Sequence, residues 1–129
     1  MENKVVLADT SIFIDYFRKT DKSNSVLIKL FNRGYNFSIS AITEYEIYSG
    51  TNASQLDFWN NILSNIPVIP FDQSAVKTAV QINATLKLKS KQIDLADLFI
   101  AATAVANNLP VATLNLKHFE RVDQLTVIE

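Results

Sequence analysis

Val5-Val6-Leu7-Ala8-Asp9-Thr10-Ser11-Ile12-Phe13-Ile14 holds the transition from which the rest of the chain can be read. Val5 to Ala8 is an apolar run without alternation, as expected for a strand covered on both faces. Asp9-Thr10-Ser11 then supplies helix caps ahead of Ile12-Phe13-Ile14 and Tyr16-Phe17. The same strand-to-helix pattern recurs. Asn36 to Ser40 alternates Phe37 and Ile39 with polar neighbours, and Ser40 can cap a helix running to Gly50. Val68-Ile69 between two prolines is a short strand, after which Asp72 caps a helix through about Leu88. Further helices are expected from Ser23 to Phe31 (ended by Gly34), Ala53 to Asn65, Asp94 to Ala106 and Leu116 to Glu120. Val111 to Leu114 and Leu125 to Ile128 read as the last two strands. Strands alternating with helices predict a three-layer α/β/α sandwich with a mainly parallel central sheet, in one domain over residues 1–129. In such folds the functional crevice lies beyond the carboxyl ends of the strands.

Of the 129 residues, 48% are hydrophobic and 19% charged, enough apolar material for a core and too much for a disordered chain. Twelve Lys and Arg oppose thirteen Asp and Glu, giving a formal charge of −1. That balance excludes a strongly basic nucleic-acid coat protein and leaves room for a local basic patch. The chain has no Cys, which excludes disulfides, Cys-ligated zinc, iron–sulfur clusters and thiol nucleophiles. Val5 to Ala8 is too short for a signal peptide. Phe99 to Ala106, broken by Thr103, is too short to span a bilayer, so a cytoplasmic protein without membrane contact is expected. His118 is the single histidine, no GxSxG elbow exists, and Gly34 and Gly50 are isolated. A serine triad and a glycine-rich phosphate loop are therefore both absent. Carboxylates are the reactive groups that remain.

Asp9 directly follows the first strand and serves either as a helix N-cap or as a ligand at the mouth of the sheet. Asp97 lies at helical spacing from Ile100, Ala101, Ala104 and Val105, the stripe that must face the sheet. A carboxylate heading a buried stripe needs a cation or strong donors; the alternative is that Asp94 and Asp97 are N-terminal charges favoured by the helix dipole. Glu44 and Glu46 point about 200° apart on a helix. Ile42 and Gly50, one turn either side of Glu46, favour Glu46 as the inward residue, with a solvated face the alternative for either. Asn115 follows the Val111–Leu114 strand, where its amide can hold water or act as an outer-sphere metal ligand, or simply cap a turn. His118 reads as a surface or hinge residue. Two carboxylates about 5 Å apart repel by about 3 kcal/mol at an effective dielectric near 20. If Asp9, Glu46 and Asp97 share one crevice, either their pKa values rise or a divalent cation neutralises them. An all-oxygen set suits Mg²⁺ or Mn²⁺ rather than Zn²⁺, and hydrolysis of a nucleic-acid backbone is the matching chemistry. From Gln73 to Ile93 the chain carries Lys77, Lys87, Lys89 and Lys91 and no acid, a run that contacts phosphates or is a solvated helix end.

These motifs together resemble the PIN-domain ribonucleases, most closely the VapC-type toxins of bacterial toxin–antitoxin pairs. The resemblance covers nearly the whole chain: Val6-Leu7-Ala8-Asp9-Thr10-Ser11, Ile39-Ser40-Ala41-Ile42-Thr43 leading to Glu46 and Gly50, Asp97-Leu98-Phe99-Ile100-Ala101-Ala102-Thr103-Ala104, then Thr113-Leu114-Asn115 and His118-Phe119-Glu120-Arg121-Val122. It implies a PIN-like fold with acidic metal ligands at Asp9, Glu46 and Asp97. The spacing of Thr43, Glu46 and Gly50 selects Glu46 over Glu44. The family's fourth position, often aspartate, is Asn115 here, which bears on whether a second metal is held. Thr10, Ser11 and Thr113 would orient ligands or the scissile phosphate. The resemblance further implies Mg²⁺- or Mn²⁺-dependent cleavage of RNA by a metal-activated water, a cognate antitoxin whose segment fills the acidic crevice, and a homodimer. Arg18, Lys19, Lys87, Lys89 and Lys91 are candidates for a substrate path. A catalytically silent PIN-like module that binds RNA or a protein partner is the second reading, favoured by Asn115 and by the absence of a strong positive field. A phosphoacceptor receiver domain fits less well, because Asp9 is single and Asp72 lies beyond a proline-bounded strand.

Overall fold

The computed structural model describes residues 4–128. Lys4–Ala8 (β1), Tyr35–Ser40 (β2), Val68–Ile69 (β3), Val111–Ala112 (β4) and Val127–Ile128 (β5) form one sheet in the order β3-β2-β1-β4-β5. Every pairing is parallel, with Val6 opposite Phe37 on one side of β1 and Leu7 opposite Val111 on the other. A parallel sheet needs cover on both faces, which is why β1 is apolar without alternation. Val6 and Ala8 enter one cluster with Ile12, Phe13, Leu30 and Trp59. Leu7 enters the opposite one with Ile82, Leu86, Ile100, Ala101 and Phe119. The first cluster is covered by helices Thr10–Arg18 (α1), Val26–Asn32 (α2), Ala41–Ser49 (α3) and Leu56–Leu63 (α4). The second is covered by Gln73–Leu88 (α5), Leu95–Ala106 (α6) and Leu116–Phe119 (α7). The three-layer α/β/α architecture expected from the alternation is the one observed. Among the described residues no helix is long and apolar enough to cross a membrane.

Sheet order locates the crevice. The chain leaves β1 toward β2 and β3, then α5 and α6 carry it back across to β4 on the other flank of β1. The strand order reverses between β1 and β4, and their carboxyl ends open a cleft there. Ala101, Ala102 and Ala104 are fully buried, so α6 lies close against the sheet with Asp97 in its first turn.

Several boundaries differ from the sequence reading, each for a local reason. Helix α2 starts at Val26 because Ser25 caps it, and Lys22–Asn24 forms a separate 3₁₀ turn capped by Asp21. Gly34 ends that region at φ +93°, a left-handed conformation that favours glycine. The segment 53–65 is a 3₁₀ turn, Ala53–Gln55, closed by a capping box on Asn52, followed by α4. Strand β4 stops at Ala112 because the next amides leave the ladder. Leu114 N–H donates to Ser11 Oγ (2.9 Å) and Asn115 N–H to Thr113 Oγ1 (2.8 Å). With two residues of β4 to pair against, β5 is equally short. The caps at Ser40 and Asp72 are present, accepting from Thr43 N–H and Ala75 N–H at 3.0 Å each.

Candidate functional site

Asp9 sits in the turn between β1 and α1 and is only 2% exposed. One carboxylate oxygen, Oδ1, accepts from the Ser11 amide and from Ser11 Oγ (2.7 Å), so it caps α1. The other, Oδ2, accepts from the hydroxyl of Thr113, just past β4. The capping role and an inward-facing oxygen thus coexist on one carboxylate. Burial holds the Asp9 carboxyl above its ordinary range; the bonds from Thr113 and Ser11 oppose this, and the nearby charge of Asp97 pushes it up further. Asp9 and Asp97 therefore feel one another across the β1–β4 cleft.

Asp97 heads the inward stripe of α6, with Ile100, Ala101 and Ala104 buried behind it. Two side chains of the α7 turn meet its Oδ2: Asn115 Nδ2 donates to it at 2.9 Å, and His118 Nδ1 lies 2.8 Å from it and 3.0 Å from Asn115 Nδ2. Asn115 occupies the N-cap position of α7, yet its side chain makes no capping bond and goes to Asp97 instead. Asp94, at the N-cap of α6, is exposed, makes no side-chain cap bond and takes no part in this cluster.

Glu46, half-buried on α3, accepts from Thr10 Oγ1 (2.6 Å), whose oxygen also lies 3.2 Å from that of the buried Thr43. Thr10 is the residue after Asp9, so the Glu46 carboxylate is tied to the same turn. Glu44, also half-buried on α3, has no bond to this network. Ser11, Thr113 and Asn115 link the remainder: Thr113 Oγ1 donates to Asp9 and accepts from Asn115 N–H.

His118 differs from its expected place at the surface or a hinge. Its side chain is 32% exposed and that of Asp97 16%, and the two are in direct contact. The sequence signal was the three-residue spacing of Asn115 and His118, which puts both on one face of the turn that follows β4. Lys87, Lys89 and Lys91 gather at the end of α5 outside the network, and Lys89 is paired with Asp123 at 2.9 Å. Arg18 and Lys19 end α1, whose first turn carries Thr10 and Ser11.

The donor set offered to an ion is all oxygen: the carboxylates of Asp9, Glu46 and Asp97, with the Asn115 amide and the hydroxyls behind them. Hard cations suit such a set. Among the described residues no three His, Asp or Glu side chains stand close enough to enclose an ion by themselves. A divalent ion on such a set would take some of its ligands from water.

Comparison with known proteins bears on the family and the fold. The family model of the PIN domain matches residues 6–125. The chain is 34% identical over 124 residues to ribonuclease VapC1 of Methanocaldococcus jannaschii, covering 95% of this chain and 85% of that protein. It is 31% identical over 125 residues to the tRNA(fMet)-specific endonuclease VapC of Shigella flexneri, covering 92% of each. Among solved structures, a chain of the DNA-bound VapBC complex from Salmonella typhimurium superposes with a TM-score of 0.83 at 27% identity, covering 98% of both chains.

Proposed function

Since the chain belongs to the PIN-domain family, we propose that it is a metal-dependent endoribonuclease, the toxin of a toxin–antitoxin pair, and that it cuts RNA at the β1–β4 cleft. The observation that carries the reading is the buried Asp9 carboxylate, raised by burial and by Asp97, at the point where the strand order reverses. Asp9, Glu46 and Asp97 would hold Mg²⁺ or Mn²⁺. A cation bound there lowers the pKa of a coordinated water and stabilises the charge that develops on the phosphodiester.

The chain's own residues do the positioning. Ser11 and Thr113 fix both oxygens of Asp9. Thr10 fixes Glu46. Asn115 donates to one oxygen of Asp97 and His118 Nδ1 lies against that same oxygen, while the other has no hydrogen bond among the described residues. In the family's fourth acidic position this chain therefore has an amide that orients a ligand.

The VapBC complexes among its structural neighbours support an antitoxin partner; in the proposed reading a segment of the antitoxin occupies the acidic crevice, the chain pairs with a second copy, and it meets RNA in the cytoplasm. Transfer RNA is the first substrate to assay, because the Shigella flexneri relative acts on tRNA(fMet). The test is cleavage of tRNA and of a structured RNA pool by antitoxin-free protein with Mn²⁺, with Mg²⁺ and with chelator, beside Asp97→Asn. Metal-dependent cutting that disappears in the variant is the expected result. A folded wild type that binds Mn²⁺ and cuts nothing would instead make the chain a silent binding module.

A further inference from the structure

Thr10, Ser11 and Leu114 stand at the head of a depression of about 560 Å³ that runs from the cleft along α1. Ile14 and Asp15 form its middle, and Arg18 and Lys19 its far end. The spacing 11, 15, 18 and 19 is one helix face, so the row follows α1 for about 10 Å. Its head is the site itself: Ser11 Oγ holds Asp9 and accepts the amide of Leu114, and Thr10 holds Glu46.

The basic end has an ordinary explanation, since cations at a helix C-terminus offset its dipole. In this helix another residue already performs that task. Lys22 Nζ donates to the carbonyls of Tyr16 (2.7 Å), Phe17 (2.9 Å) and Lys19 (2.8 Å), covering the negative end of α1. Lys19 pairs with Asp15 at 3.5 Å, and the other oxygen of Asp15 takes the Val26 amide at 2.9 Å, so this acid is satisfied as well. Arg18 is exposed and makes no hydrogen bond or ion pair among the described residues. An unpaired guanidinium thus stands at the end of a groove that opens on an acidic site, with Ile14 and Leu114 as apolar surface between.

From this juxtaposition we infer that the groove along α1 seats the RNA strand flanking the scissile phosphate, with Arg18 as its phosphate anchor and Ile14 and Leu114 as the surface against which a base lies. The inference rests on the ribonuclease reading and deepens it. A protein whose net charge is −1 and whose site is acidic has to draw a polyanion by local charge, and a guanidinium matches phosphate oxygens in a planar, two-point contact. The contact is to backbone and carries no sequence preference of its own.

Binding of a fluorescein-labelled oligouridylate to the wild type, Arg18→Gln and Lys77→Gln, measured by anisotropy in chelator over a salt series, tests it without any catalytic step. Lys77, exposed on α5, controls for the loss of a positive charge as such. The expected result is that Arg18→Gln raises Kd about fivefold and flattens the slope of log Kd against log salt by about 0.7, while Lys77→Gln changes neither. Equal effects of the two variants, no effect of either, or no RNA binding by the wild type would each overturn the groove. So would unchanged RNA binding with weakened capture of the cognate antitoxin, which would give the depression to the protein partner. Metal-dependent cleavage by the wild type is read separately, so the ribonuclease reading can stand while the groove falls.

Discussion

His118 Nδ1 lies 2.8 Å from Asp97 Oδ2, in a contact that Asn115 Nδ2 joins from 2.9 Å. Two side chains held against one carboxylate oxygen fix the orientation of the group. Outer contacts of this kind around a metal ligand are worth about 10- to 100-fold in metal affinity or activity. His118→Ala is expected to lower cleavage and Mn²⁺ affinity within that range while the fold is kept. His118→Asn, whose amide reaches the place of Nδ1, should restore much of both. Mn²⁺ titration by electron paramagnetic resonance reads affinity apart from turnover. Equal behaviour of the Ala and Asn variants would remove His118 from the site.

Asp9 is costly to the fold. Its carboxyl is raised by burial, so the folded chain holds the proton more tightly than the unfolded one. The sign follows: stability is highest below the ordinary value of 3.8 and falls as pH rises from there through the raised folded value. Metal-free Asp9→Asn should lose that slope and be more stable than the wild type near neutrality, while losing cleavage. Urea melts of both proteins across acid and neutral pH, in chelator, check it. Excess Mg²⁺ should narrow the gap by stabilising the wild type alone.

Thr113 is 5% exposed and its one hydroxyl serves two buried partners, the Asp9 carboxylate and the Asn115 amide. Thr113→Val keeps the shape and leaves both unsatisfied. A loss of about 2 to 4 kcal/mol is expected, against less than about 1 for Thr113→Ser. Chemical denaturation separates the two, and a Val variant as stable as the Ser variant would contradict the bonding scheme.

Ser90 closes α5 with φ +53°: its amide bonds Lys87 O (3.1 Å) and the Lys91 amide bonds Leu86 O (2.9 Å). This is the left-handed cap that glycine normally fills. Ser90→Gly should raise stability by about 0.5 to 1 kcal/mol and leave cleavage unchanged, as read by a thermal melt and an initial rate.

The central strand, the capped helices and the layer order were legible because each rests on neighbours in sequence. Val6, Leu7 and Ala8 announce burial on both sides of the sheet, and Ser40 and Asp72 announce the helices they cap. Long-range bonds were not legible. The early end of β4 depends on a hydroxyl from Ser11, and the role of His118 depends on a carboxylate from α6, a helix inside the crossover between β3 and β4. The three-residue spacing sets His118 beside Asn115, but only the structure brings the pair to Asp97. In the sequence Arg18 is one of five cations offered for a substrate path, and what sets it apart is long-range: Lys22, not Arg18, holds the carbonyls at the end of α1.

The bond between Thr113 and Asp9 joins residues 104 apart in the chain. During synthesis the first strand emerges long before its second neighbour, β4, whose Val111 pairs with Leu7. Until then, one edge of β1 lacks its partner and Asp9 lacks Thr113. Closure over so long a separation is slow compared with local pairing. A protein that cuts RNA in the cell that makes it would thus be assembled in an order that delays its danger: no nascent fragment ending before residue 113 contains the finished cleft. The same order exposes an open strand edge to other chains in any truncated product, so early termination yields a sticky fragment and not an active one.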